Sequence, residues 1–167
     1  MSNLDIDTEK GQKSLNEEML MLKYISECWN VKIQITKKDT PSVYDGVIMV
    51  NDKIDKIAGI FESKNRQMSL YTLEKWGSWL ITFEKLENCR LIAKEKKVPF
   101  YGFLGIQRSK LVMFWKISDS EGNYLFPFDH HYSLTQATTN GGEAYRDNAY
   151  LPIEFGNFVQ PNQKFEQ

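Results

Sequence analysis

At 167 residues, with 41% apolar and 13% aromatic side chains, the chain is long enough for one domain with a real core and too apolar for disorder. A net charge of −1 argues against a surface that tracks nucleic-acid phosphates, unless bound metal fills an acidic cluster and the lysines gather on one face. No apolar stretch approaches the roughly 20 residues of a membrane-spanning helix. The two cysteines, Cys28 and Cys89, form no Cys-x-x-Cys pair, and the N-terminus MSNLDIDTEKGQKS is polar and acidic. A reduced, cytoplasmic setting without zinc or a signal peptide is the expectation.

Residues 1–13 read as a flexible polar lead. Ser14 opens a helix, because Ser14-Leu15-Asn16-Glu17 fits a capping box in which Glu17 reaches back to the cap. Leu15, Met19, Leu22, Ile25 and Trp29 follow the helical period and predict one buried face. Residues 31–36 (VKIQIT) alternate as a strand, broken by Lys37-Lys38-Asp39-Thr40-Pro41. The nearly all-apolar run 44–50 (YDGVIMV) suits a strand covered on both faces. Asn51-Asp52-Lys53 reads as a hairpin turn and 54–64 (IDKIAGIFESK) as the returning strand.

The spacing then predicts one long helix over 69–96, with Leu73, Trp76, Trp79, Leu80, Phe83, Leu86 and Leu91 as its stripe and Pro99 ending the pattern. Strands over 100–106 and 111–117 follow, joined by Gln107-Arg108-Ser109-Lys110. The order α-β-β-β-α-β-β describes an α/β domain over 14–117, with a central mixed sheet flanked by helices. Residues 118–167 show no period and read as an irregular C-terminal extension packed on that core, frayed over 161–167.

Three observations converge on one chemistry. Glu62 and Lys64 lie two apart on a strand and project from the same face. Asp45 lies on the preceding strand of the proposed hairpin. Glu18 falls inside the apolar face of the first helix, between Ile25 and Trp29, at about 100° per residue. A carboxylate aimed at a core needs compensation, and a bound cation is one form of it. Carboxylates that hold Mg²⁺ or Mn²⁺, with a lysine beside them, are what metal-assisted phosphodiester hydrolysis requires.

Helix-Glu, strand-Asp and then Glu62-Ser63-Lys64, followed by a helix and further strands, resembles the PD-(D/E)XK nuclease superfamily, in particular its small resolvase-like and phage-type members. The resemblance covers about 14–117. It implies a restriction-endonuclease-like core and a Mg²⁺- or Mn²⁺-dependent endonuclease acting on DNA. Asp45 and Glu62 would be metal ligands, Ser63 a ligand through its carbonyl, Lys64 the catalytic lysine and Glu18 an auxiliary carboxylate. Tyr44 replaces the proline of the family's name, and the Gln-x-x-x-Tyr helix motif of the exonuclease-like branch is absent. The resemblance also implies a homodimer and an origin in a phage or mobile element.

Plainer readings stand beside these. Glu62 and Lys64 alone describe any exposed strand end, and Asp45-Gly46 also fits a bulge or turn. Glu87 and Arg90 form a structural pair at helical spacing, or Arg90 holds a phosphate. Asn65, Arg66 and Gln67 contact substrate or belong to a solvated loop. Asp129-His130-His131 shares three letters with the DHH phosphoesterases and none of their other motifs. Trp76 and Trp79 read as core, and Thr139-Asn140-Gly141-Gly142 as a turn. The reading from a different class is a catalytically silent PD-(D/E)XK-like binding module, such as a phage inhibitor or assembly factor.

Overall fold

The structure, a computed structural model, describes residues 9–36, 43–50, 56–135 and 144–165. In chain order the elements are α1 (Glu9–Trp29), β1 (Val31–Ile35), β2 (Gly46–Val50), β3 (Lys56–Arg66), α2 (Leu70–Trp76), β4 (Ser78–Thr82), α3 (Phe83–Lys96), β5 (Phe100–Ile106), β6 (Leu111–Ser118), β7 (Asp129–Thr135), β8 (Ala144–Pro152) and β9 (Asn157–Phe158). A six-stranded mixed sheet has the order β1-β2-β3-β5-β6-β9, and a three-stranded antiparallel sheet has the order β4-β8-β7. The class is α/β.

The strand that organises the molecule is β3. It pairs antiparallel with β2 and parallel with β5, so its 58–63 stretch is buried. A parallel pair cannot be closed by a hairpin and needs a crossover; the segment α2-β4-α3 supplies it. Strand alternation sends successive side chains to opposite faces. Phe61 meets the α1 residues Leu22, Ile25 and Trp29 on one side, while Ile60 packs with the α3 residues Leu86, Cys89 and Ala93 on the other. By the same alternation Glu62 and Lys64 fall on the α3 side of the sheet and Ser63 on the α1 side.

The long helix expected over 69–96 is two helices with a strand between them. Ser69 caps α2 by accepting from the Thr72 N–H, and Gly77 ends it at φ +79°, donating its N–H to the Leu73 carbonyl at 2.9 Å. Only glycine enters that left-handed region without strain. The next residues, Ser-Trp-Leu-Ile-Thr, carry β-prone side chains and pair with β8, with Trp79 and Ile81 turned into the core. Trp76 and Leu91, expected in the stripe, are exposed. Tertiary pairing with a strand some 70 residues later overrode a local helical period.

Other boundaries also moved. Helix α1 begins at Glu9, so Ser14 lies inside it and caps nothing, and 9–13 is not a flexible lead. Its buried face runs through Leu22, Ile25, Cys28 and Trp29, leaving Met19 exposed. The expected irregular extension over 118–167 holds β7, β8 and β9. The expected fraying over 161–167 does not extend to Gln163, which accepts the Trp29 indole N–H at 2.6 Å, or to Phe165, which stacks on Trp29. The predicted break at 37–41, the turn at 51–53 and the turn at 139–142 lie outside the described residues.

Gly46 sets the fit of β2 against β3. A Cβ there would sit 2.5 Å from the Gln34 carbonyl oxygen and 2.5 Å from Cζ of the fully buried Phe61 ring. Gly46→Ala is therefore expected to lower stability by about 1–3 kcal/mol, the usual consequence of overpacking, measured by urea unfolding. A midpoint unchanged from the parent would show that the strand relaxes freely.

Candidate functional site

The residues singled out from the sequence meet where β2 begins beside β3, while β3 runs on paired with β5. Asp45 directly precedes β2 and is held between its two neighbours: its N–H donates to the Phe61 carbonyl at 2.9 Å, and its own carbonyl accepts from Thr36 N–H at 2.8 Å. Asp45 stands in a bend at the entry to β2, its N–H turned to β3 and its carbonyl to β1, which fits the bulge reading of Asp45-Gly46; a second irregularity, a register shift, lies at Ile48/Met49. The Asp45 side chain then takes over from the strand. Its Oδ2 accepts the Ser63 backbone N–H at 2.8 Å, which pins the carboxylate across β3.

Glu62 is fully buried, and no backbone N–H or neutral side chain among the described residues donates to its carboxylate. Charge compensates it instead. Lys85 Nζ lies 3.0 Å from Oε2, and Lys64 Nζ lies 3.5 Å from Oε1. The same Lys85 ammonium is 3.8 Å from Asp45 Oδ1. Two carboxylates and two ammoniums therefore share one small volume, as the spacing of Asp45, Glu62 and Lys64 predicted, with Lys85 added.

Glu18 arrives from the opposite side of β3. The Ser63 hydroxyl donates to Glu18 Oε1 at 3.0 Å and stands 3.5 Å from Asp45 Oδ2. Glu18 is tied to the cluster through Ser63, and the Ser63 amide and hydroxyl, rather than its carbonyl, make the visible contacts. Among the described residues no three His, Cys, Asp or Glu side chains converge as a ligand group.

The two central carboxylates divide in their acidity. Burial opposes ionisation of Asp45, but the charges of Lys85 and Lys64 and the Ser63 N–H outweigh it and hold its pKa below the ordinary carboxylate value. Burial, and then the neighbouring Asp45 charge, push Glu62 up to about 7 against the pull of Lys64 and Lys85. For Lys85 burial disfavours the charge, yet Glu62 and Asp45 prevail and raise its pKa. Beneath them Cys89 is fully buried, donates to the Val43 carbonyl at 3.1 Å and is driven up by burial and by the Glu62 charge, so it stays a thiol.

The other candidates go elsewhere. Arg90 is not brought to the cluster. Its guanidinium binds both oxygens of Glu87, donates to the Gly122 carbonyl at 2.7 Å and lies 5.0 Å over the Tyr124 ring, while Tyr124 also donates to Glu87. The structural pair is the arrangement present. Asn65 lies on β3 rather than in a loop and accepts from Gln107 Nε2 at 2.6 Å, bracing the β5–β6 connection. Arg66 ends β3 in an exposed position, on the same face as Glu62 and Lys64. His130 stacks on Phe83 at 3.8 Å with Nδ1 3.0 Å from Asp147, and His131 stacks on Tyr150.

Lys85 is the residue that sequence reasoning missed. Its signal was present: the buried spacing of α3 is Leu86, Cys89 and Ala93, and Lys85 stands one turn before Cys89 at the border of that face. The stripe drawn through Leu80, Phe83 and Leu91 rotated the helix away from it. Compared with protein-family models, curated proteins and solved structures, the chain matches none of them.

Because Glu62 binds its proton more tightly folded than unfolded, its contribution to stability is fully present below its unfolded value near 4.5 and is lost as pH rises to about 7. Relative to Glu62→Gln, the metal-free parent should therefore lose up to about 3 kcal/mol between pH 4.5 and 7.5. The two unfolding curves should then run parallel at higher pH. Denaturant titrations across that window check it; curves parallel throughout would place Glu62 in a far more hydrated setting.

Proposed function

We propose that the chain is a divalent-metal-dependent nuclease of the PD-(D/E)XK type that hydrolyses phosphodiester bonds, with DNA as its substrate. The observation that carries this reading is the meeting of Asp45, Glu62 and Lys64 beside the last residues of the central strand, with the Glu62 carboxylate fully buried and faced by ammoniums. A buried carboxylate pair of this kind has a physical reason to exist if it holds a cation. The donor set is all oxygen, which suits Mg²⁺ or Mn²⁺.

Bound between Asp45 and Glu62, the ion would polarise the scissile phosphate and acidify the attacking water. The chain's own residues do the rest. The Ser63 amide fixes the orientation of the Asp45 carboxylate. Ser63 Oγ ties Glu18 to the same unit, so helix α1 and strand β3 hold one geometry. Lys64, with 42% of its side chain exposed, is the ammonium with access to a bound anion, where it stabilises charge growing on the phosphate oxygens. Glu62 would have to be ionised to hold the ion.

A specific observation also favours a second reading, a silent PD-(D/E)XK-like binding module. Lys85 already sits within ion-pair distance of both carboxylates, and a closed salt-bridge cluster needs no metal. Catalysis separates the two. Labelled single-stranded, duplex and branched DNA, with an RNA control, are incubated with Mn²⁺ or Mg²⁺ and the parent, Glu62→Ala or Lys64→Ala protein. Metal-dependent cutting, reduced at least about 100-fold by either substitution in a folded protein, is expected. Absence of cutting with every metal, or cutting untouched by both substitutions, would favour the binding module.

A further inference from the structure

We propose that Lys85 is a built-in counterion: its ammonium occupies the place between Asp45 and Glu62 that a divalent cation would take, and it must leave when that cation enters. The inference rests on the metal reading above and deepens it, because it makes a helix residue the determinant of how tightly the site binds its ion.

The geometry distinguishes Lys85 from Lys64. Lys85 Nζ reaches both carboxylates, at 3.0 Å from Glu62 Oε2 and 3.8 Å from Asp45 Oδ1. Lys64 Nζ reaches only Glu62, at 3.5 Å, and is the more exposed of the two. Of these two ammoniums only Lys85 bridges the pair, as a cation shared by two oxygen donors does. Apart from the two lysines, no donor is bonded to Glu62 among the described residues. In the metal-free protein Lys85 is what keeps two neighbouring carboxylates, one of them fully buried, from standing largely uncompensated.

An ammonium and a divalent ion cannot both hold the same oxygens, because at 3–4 Å in a poorly hydrated site their repulsion is large. Lys85 has a way out. It is carried by α3 rather than by the sheet, and 26% of its side chain reaches solvent. A four-carbon stem can move its charged end outward while the methylenes stay packed. Ion loading then converts a cluster neutralised from within into one with net positive charge. This accounts for how a chain of net charge −1 could receive a polyanion at this point only after the ion is in place.

The test reads ion binding directly, without turnover. The full-length, metal-stripped parent, Lys85→Met, Lys64→Met and Glu62→Gln proteins are titrated with Mn²⁺, and the free ion is followed by its electron paramagnetic resonance signal. Lys85→Met is expected to bind Mn²⁺ at least about tenfold more tightly than the parent, since removing a buried competing charge outweighs most local losses. Lys64→Met should change affinity by less than about threefold and Lys85→Arg, which keeps the charge, likewise. Glu62→Gln should abolish tight binding.

A folded Lys85→Met protein that binds Mn²⁺ no better than a parent whose binding needs Glu62 overturns the counterion and leaves the metal site standing. No Mn²⁺ binding by either the parent or Lys85→Met overturns both. Binding that appears only in Lys85→Met supports the counterion in its strongest form, a site closed by its own lysine. Should Lys85→Met not fold, Lys85→Gln carries the same comparison.

Discussion

A carboxylate buried in the middle of a sheet constrains everything around it. Glu62 lies on β3 one residue past the last β2 pair and paired with β5, and its side chain is closed off from water. Such a group is tolerated only where opposite charge comes close or where it keeps its proton. Both happen here: two lysines approach from different elements, and the acidity of Glu62 falls toward neutrality. Asp45, held by the Ser63 amide, takes the ionised share.

The position of Lys85 follows from a strand placed inside the crossover. Gly77 stops α2, β4 pairs with β8, and α3 starts only at Phe83, two residues before the lysine. A continuous helix would run on with a different phase and carry Lys85 elsewhere. The C-terminal third of the chain therefore acts on the cluster at a distance. His130 stacks on Phe83 at the beginning of α3, and Tyr124 with the Gly122 carbonyl grips Glu87 and Arg90 further along it. Trp115 adds a tie between the two sheets by donating to the Pro152 carbonyl at 2.9 Å.

Within the cluster two ammoniums face the Asp45 and Glu62 carboxylates, so these four groups balance one another in charge when all are ionised. Arg90, the other buried-side cation of α3, is committed to Glu87 and Tyr124 and contributes rigidity to the helix that bears Lys85.

What was legible in the sequence was whatever depends on neighbours in the chain. The alternation of β3 put Glu62 and Lys64 on one face, and the helical period put Glu18 on the side of α1 that meets β3; both are consequences of local backbone geometry. The apolar run of β2 announced a strand, but only Gly46 and Ile48 of it are buried, so the cover on both faces expected there is incomplete. Only the tertiary structure decided the rest. Whether 78–82 is helix or strand depended on a partner in β8 that no local pattern names. Whether Arg90 or Lys85 meets the carboxylates depended on the rotation of α3, which a shift of one residue in its start changes by about 100°. Long-range pairing and helix phase are properties of the assembled core, where the burial of one residue is settled by atoms far away in sequence.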